Sequence, residues 1–226
     1  MQPTEWGTDM PGITTTVDTE PGVRTLALTF DACGGPLGSG VDTDLLGLLR
    51  GRGIQATLFL NSRWIDANPD LTRELAADPL FRIENHGTRH HPLSVTGREA
   101  YGIAGTADVD EAFDEIAVNQ DIIEQITGER PRWFRSGTAH YDDVAVAVAA
   151  SNGVGIAGYT TNLDAGATFT AAQVARELEN APDGAVCLGH MNQPTGGTAA
   201  GVRDGLDALG ITDGSEGGPV RFVHLP

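Results

Sequence analysis

At 226 residues and 40% hydrophobic content, the chain suits one packed domain rather than a disordered segment. No apolar run approaches the roughly 18 residues that a membrane-spanning helix needs. A formal net charge of -17 argues against nucleic acid as a partner. All 14 basic residues are arginine, so a P-loop, a kinase lysine and a Schiff-base amine are excluded.

Residues Met1 to Gly22, with Pro3, Pro11 and Pro21, show no periodicity and read as an extended N-terminal arm before a single domain over 23–226. The polar start lacks the apolar core of a signal peptide. That fits a cytoplasmic chain, or an exported one whose signal lies elsewhere. Arg24 to Phe30 alternates and runs apolar, predicting a strand that ends at Asp31. A Gly- and Pro-rich loop over Gly34–Gly40 leads to a helix over Asp44–Arg50, capped by Asp42 and stopped by Gly51 and Gly53.

A second strand is predicted at Gln55–Leu60, a helix at Asp70–Ala77, and a third strand at Phe81–Glu84 that delivers Asn85 and His86. A long amphipathic helix spans Val109–Thr127, with Asp108 and Glu111 as a capping box. Beyond it come strands at Arg132–Arg135, Gly155–Tyr159 and Gly184–Leu188, and a last strand at Val220–His224. Helices at Asp142–Ser151, Ala171–Asn180 and Ala200–Leu209 separate them.

Strands alternating with helices imply parallel βαβ units, whose chemistry collects beyond the carboxyl ends of the strands. Asp31, His86, His90, Arg135, Asp164 and His190 all fall there. His86 and His90, four residues apart, can face one metal ion from a single helical turn. Asp31 ends an apolar strand, where a carboxylate needs a cation or donors around it; it serves either as a cap for the glycine-rich loop or as a base. His190 reads as a core histidine or, if Asp164 orients it, a general acid. Cys33 and Cys187 make either one bridge or two buried thiols.

Thr29-Phe-Asp31-Ala-Cys, His86-Gly-Thr-Arg-His90, Arg132-Trp-Phe-Arg135-Ser-Gly, Asn162-Leu-Asp164 and Leu188-Gly-His190 occur in an order that resembles the five motifs of the NodB-homology domain. That is the polysaccharide deacetylase family, also called carbohydrate esterase family 4, and the resemblance covers about Arg24 to Leu225. It implies an α/β fold, a distorted incomplete (β/α) barrel. It further implies Asp31 as catalytic base, His86 and His90 as metal ligands, Arg135 as partner of the base, His190 as general acid and Asp164 as the carboxylate holding that acid. The implied cofactor is a divalent metal of the zinc type. The implied reaction is removal of acetyl groups from an N-acetylated polysaccharide, chitin- or peptidoglycan-like, which places the chain outside the cell or in its envelope. An O-acetyl (xylan) esterase and a catalytically silent carbohydrate-binding domain are the alternatives. Trp133 and Tyr141, flanking the third motif, are expected to stack on sugar faces.

The first motif normally carries two aspartates, the second binding metal, and here that second position is Ala32. Asp31 itself then ligates the metal, or the metal keeps two protein ligands, or the site works without metal or not at all. Because zinc sites generally use at least three protein ligands, Asp31 is the expected third. In the third motif Ser136-Gly137-Thr138 follows the arginine, which leaves the oxyanion donor unassigned.

Overall fold

The computed structural model describes residues 2–212 and 220–226. The sheet is built from β3 (Arg24–Ala32), β4 (Ala56–Leu60), β5 (Phe81–Asn85), β6 (Trp133–Phe134), β8 (Gly155–Ala157), β9 (Thr161–Asn162), β10 (Ala185–His190) and β11 (Val220–Phe222). β2 (Ile13–Thr14) joins β8 at one edge, and every pairing in this sheet is parallel. The strand order β2-β8-β6-β5-β4-β3-β10-β9, with β11 on β3, curls into a half-barrel. A separate antiparallel pair joins β1 (Trp6–Gly7) to β7 (Tyr141–Asp142).

Helices cover the outside: α1 (Thr43–Gly51), α2 (Ser62–Ala67), α3 (Pro69–Ala77), α4 (Val109–Thr127), α5 (Asp143–Ser151), α6 (Ala171–Asn180) and α7 (Thr198–Ala208). Their starts follow the chemistry read from the sequence. Asp42 accepts from Leu45 N–H, Asp108 from Glu111 N–H and Asp142 from Ala145 N–H, each satisfying a donor the helix cannot pair internally. The short α2 lacks enough periodicity to announce itself. The N-terminal stretch packs into the domain through β1 and β2, which are too short for an alternation to register.

The two-residue period of the strands decides what reaches the site. On β3, Leu26, Leu28, Phe30 and Ala32 join the larger outer core beneath the helices, with Leu58 and Cys187 of the neighbouring strands. Ala27 faces the barrel interior with Phe59, Ala157, Val186 and Leu225. Thr29 and Asp31 share that inner face, so Ala32, fully buried in the outer core, points away from the chemistry. Cys33, two residues beyond Asp31, returns to its side.

Both cysteines are free thiols. Cys187 lies opposite Leu28 in the β10–β3 register, five residues short of Cys33. At about 3.3 Å per residue, that is roughly 16 Å, beyond the reach of a disulfide. Burial pushes the Cys187 thiol up to about 12, so it is an unreactive core residue.

Candidate active site

Adjacent strands bring the site together at their carboxyl ends. In the β10–β3 register His190 stands opposite Asp31. Beyond the strands the ladder continues: Asn61 N–H donates to Ala32, His86 N–H to Leu60, Arg135 N–H to Asn85 and Met191 N–H to Asp31. These bonds fix the positions of Asp31, His86, Arg135 and His190 around one cavity floor.

Arg135 is fully buried and satisfied in the interior. Its Nη1 donates to Asp31 Oδ1 at 2.8 Å and to Thr29 Oγ1 at 2.9 Å. Its Nε and Nη2 donate to the carbonyls of Ala157 and Gly158, both at 3.0 Å, and its guanidinium lies 4.3 Å from the Phe59 ring centroid. A guanidinium so anchored is a fixed positive charge. Burial works to raise the Asp31 carboxyl, but Arg135, with His86 and His190, outweighs it and holds Asp31 below the usual carboxylate range.

On the other side of the floor, Asp164 organises His190. It accepts His190 Nδ1–H at Oδ1 (2.8 Å), and the His190 backbone N–H (2.7 Å) and Thr198 hydroxyl (2.8 Å) at Oδ2. The Nδ1 bond leaves His190 Nε2 for the cavity, which His190 lines. Burial would lower the His190 imidazole, but its hydrogen bond to the Asp164 carboxylate, helped by the nearby Cys33, overcomes it and holds the ring well above its ordinary value. Asp164 stays below the carboxylate range because bonds from His190 and Thr198 outweigh its own burial.

The two remaining histidines do not share a helical turn as the spacing predicted. Residues 86–90 form a loop, and His90 takes a left-handed backbone with φ 66°, a conformation costing of order 1 kcal/mol for a non-glycine residue. Several contacts hold it. Glu115 accepts from the N–H groups of Arg89 and His91, while Asn61 donates to the carbonyls of His86 and Gly87. Gly87 also has positive φ, and a Cβ there would come within 2.4 Å of Glu115 Oε1. At Gly137 a Cβ would come within 2.6 Å of the His90 ring, so only glycine lets that ring in. The outcome is a T-shaped pair of imidazoles with centroids 4.9 Å apart.

His86 Nδ1 lies 2.9 Å from the Arg135 carbonyl. A carbonyl only accepts, so Nδ1 carries a proton, and the neutral ring then offers its Nε2 lone pair, the tautomer a metal ligand requires. His90 Nε2 is buried with no hydrogen-bond partner among the described residues. Cys33 Sγ lies 3.7 Å from His86 Nε2, and donor atoms of Cys33, His86 and His90 all fall within 4.8 Å of one another. A lone pair turned inward, an orphaned ring nitrogen and a thiol at this spacing fit a divalent cation. Asp31, expected to supply the third donor, is not part of this group; its Oδ1 is bound to Arg135, while its Oδ2 also lies 3.7 Å from His86 Nε2.

The floor opens into a cavity of about 790 Å³ lined by Asp31, Cys33, His90 and His190. Exposed apolar side chains also line it: Leu37, 90% exposed, and Tyr101, 79% exposed. Gln193 Nε2 donates to the Leu37 carbonyl, and the Tyr101 ring meets His140 edge-on at 5.2 Å. Tyr101 belongs to the long connection between β5 and α4. Its length beyond about 15 residues is the one sequence signal that could have drawn attention to it.

Trp133 and Tyr141, expected to stack on sugars, lie elsewhere. Trp133 packs over Gly155 at the start of β8 and donates Nε1–H to the Pro226 carbonyl, away from the cavity. Tyr141 is fully buried, and its hydroxyl accepts Ser136 N–H at 2.9 Å. The Gly137 N–H donates to the His91 carbonyl. Two backbone donors of the third motif are therefore already committed.

The family model for polysaccharide deacetylase matches residues 18–157, more than half of the chain. The chain belongs to the polysaccharide deacetylase family. Among curated proteins it is 27% identical over 154 residues to the uncharacterized protein YlxY of Bacillus subtilis, covering 67% of this chain and 44% of that one. The chain thus spans less than half the length of that relative.

Solved structures share the fold. A variant of BA3943, described as a family 4 carbohydrate esterase pseudoenzyme with restored enzymatic activity, superposes with a TM-score of 0.72 at 20% identity, covering 91% of this chain and 67% of that one. BA3943 comes from Bacillus anthracis. The peptidoglycan deacetylase PdaC of Bacillus subtilis matches with a TM-score of 0.69 at 22% identity, covering 92% and 90%. No helix among the described residues is long and apolar enough to cross a membrane.

Proposed function

We propose that this polysaccharide deacetylase-family protein is an active, metal-dependent hydrolase that removes acetyl groups from an N-acetylated polysaccharide of the peptidoglycan or chitin type. The observation that carries this reading is the pairing of opposites on one cavity floor. Arg135 favours the ionised form of Asp31 and Asp164 the protonated form of His190, which supports a base and an acid at adjacent strand ends.

In this reading Asp31 accepts the proton of the attacking water at Oδ2, the oxygen that Arg135 leaves free. The water oxygen bonds to the acetyl carbonyl carbon, the C–N bond breaks, and His190 gives its Nε2 proton to the departing amine. His86 and His90 hold the divalent cation, which when bound supplies Lewis-acid stabilisation of charge developing on the carbonyl oxygen. Asp164 keeps the His190 ring aimed and protonated. Leu37 and Tyr101 offer apolar faces to the sugars at the rim. Glycans of this class lie outside the cytoplasm, which puts the chain in the cell envelope or beyond it.

One observation favours a second reading. Ala32 replaces the aspartate of the first motif, and the fold is shared with a pseudoenzyme, as in a silent carbohydrate-binding domain. Acetate release from chitin oligomers, peptidoglycan and acetylated xylan, measured side by side with metal-loaded protein, separates the readings. Acetate from an N-acetylated glycan is expected. Acetate from xylan alone would make the chain an O-acetyl esterase, and none from any substrate would leave the binding domain.

A further inference from the structure

We propose that Cys33 is the third protein ligand of the metal centre, joining His86 and His90 in a site of two imidazoles and one thiolate. This deepens the reading of a metal-dependent hydrolase and rests on the same cavity floor. It concerns how this chain meets the loss of the aspartate that Ala32 replaces.

Ala32 is fully buried in the outer core, so in this chain that position faces away from the cleft. Cys33 restores the inner direction at the next residue. With zinc–sulfur and zinc–nitrogen bonds of about 2.3 and 2.0 Å, tetrahedral ligand atoms sit about 3.3–3.7 Å apart. Cys33 Sγ and His86 Nε2 are 3.7 Å apart. The whole three-atom set lies within 4.8 Å, so small side-chain rotations close it around an ion.

The surrounding groups select the same three atoms. The Arg135 carbonyl turns the His86 lone pair inward, and His90 Nε2 has no other partner among the described residues. Arg63 Nη2 donates to the Cys33 carbonyl at 3.1 Å and fixes the backbone from which the thiol projects. Asp31 meanwhile has Oδ1 tied to Arg135, and Oδ2 is needed for the base role. A sulfur ligand therefore resolves the conflict that the missing aspartate creates, because Asp31 no longer has to act as both ligand and base. Three protein ligands leave a position open, as catalytic zinc sites do. Thiolate with imidazole favours zinc or cobalt over magnesium or calcium, whose sites are built from oxygen.

The test uses cobalt as a spectroscopic stand-in. Metal-stripped full-length protein loaded with one equivalent of Co²⁺ is expected to show a near-ultraviolet thiolate-to-cobalt charge-transfer band. Cys33→Ala should abolish the band and weaken Zn²⁺ affinity on the order of a hundredfold or more, since loss of mere supporting contacts already costs about 10–100-fold. Cys33→Asp should recover affinity without the band. A cobalt-loaded wild type with no thiolate band overturns the proposal, and so does a Cys33→Ala protein that binds Zn²⁺ as tightly as wild type. An acetyl adduct on Cys33, found by intact mass during turnover, would make the thiol a nucleophile and overturn it as well. The two readings fail separately. A thiolate band without acetate release refutes the deacetylase and keeps the ligand, whereas metal-dependent acetate release without the band refutes the ligand and keeps the deacetylase.

Discussion

The two sides of the cavity floor are finished to different degrees. Behind His190 the polar contacts close within the protein: Asp164 receives the imidazole Nδ1–H, the His190 backbone N–H and the Thr198 hydroxyl, all at 2.7–2.8 Å, and only Nε2 faces the cavity. Around His86 and His90 the scaffold is equally well bonded, through Glu115, Asn61 and the Arg135 carbonyl. The groups it presents are not, since His90 Nε2 is buried without a partner among the described residues. Buried polar atoms are costly to leave unpaired. One side is therefore a complete proton-holding device, while the other is a set of donors that a cation would complete. Arg135 spans both, pairing Asp31 with its side chain and His86 with its carbonyl.

The sharpest way to break that contrast is to remove Arg135. Arg135→Ala leaves Asp31 buried without its counter-charge, and should destabilise the fold by about 3–5 kcal/mol in chemical denaturation. A loss below 1 kcal/mol would mean that Asp31 is held by something else.

A variant confined to the acid side should leave the metal side untouched. His190→Ala is expected to lower kcat by roughly 10²–10⁴-fold while metal content, measured by mass spectrometry, stays at the wild-type level. Unchanged turnover would remove His190 from the chemistry, and lost metal would show that the two sides are not separable. The smallest effect belongs to Thr198→Val, which deletes one bond to Asp164. It should cost about 1 kcal/mol of stability and only a few-fold in kcat, with Zn²⁺ affinity unchanged.

Much of this site was legible in the sequence because parallel α/β folds collect chemistry at strand ends. Asp31, His86, Arg135, Asp164 and His190 could each be placed there by finding where an apolar run stopped. What stayed hidden depended on the direction of individual side chains. Cys33 emerges only once β3 is known to keep its alternation through Ala32, which turns one residue out and the next one in. Trp133 and Tyr141 sit next to the third motif, yet one packs over Gly155 and the other supports Ser136 from inside. Nearness along the chain says nothing of which end or face a ring occupies. The spacing of His86 and His90 suggested a helical turn, whereas Gly87 and the left-handed His90 bring the rings together in a loop. Tyr101 had no periodic context at all.

The dependence of turnover on metal is the most direct test of a metal-dependent hydrolase. Acetate release from an N-acetylated glycan oligomer should fall to background when the protein is stripped by chelation, and return in proportion to added Zn²⁺ until one equivalent per chain is bound. Full turnover by the stripped protein, or none at full occupancy, would contradict it.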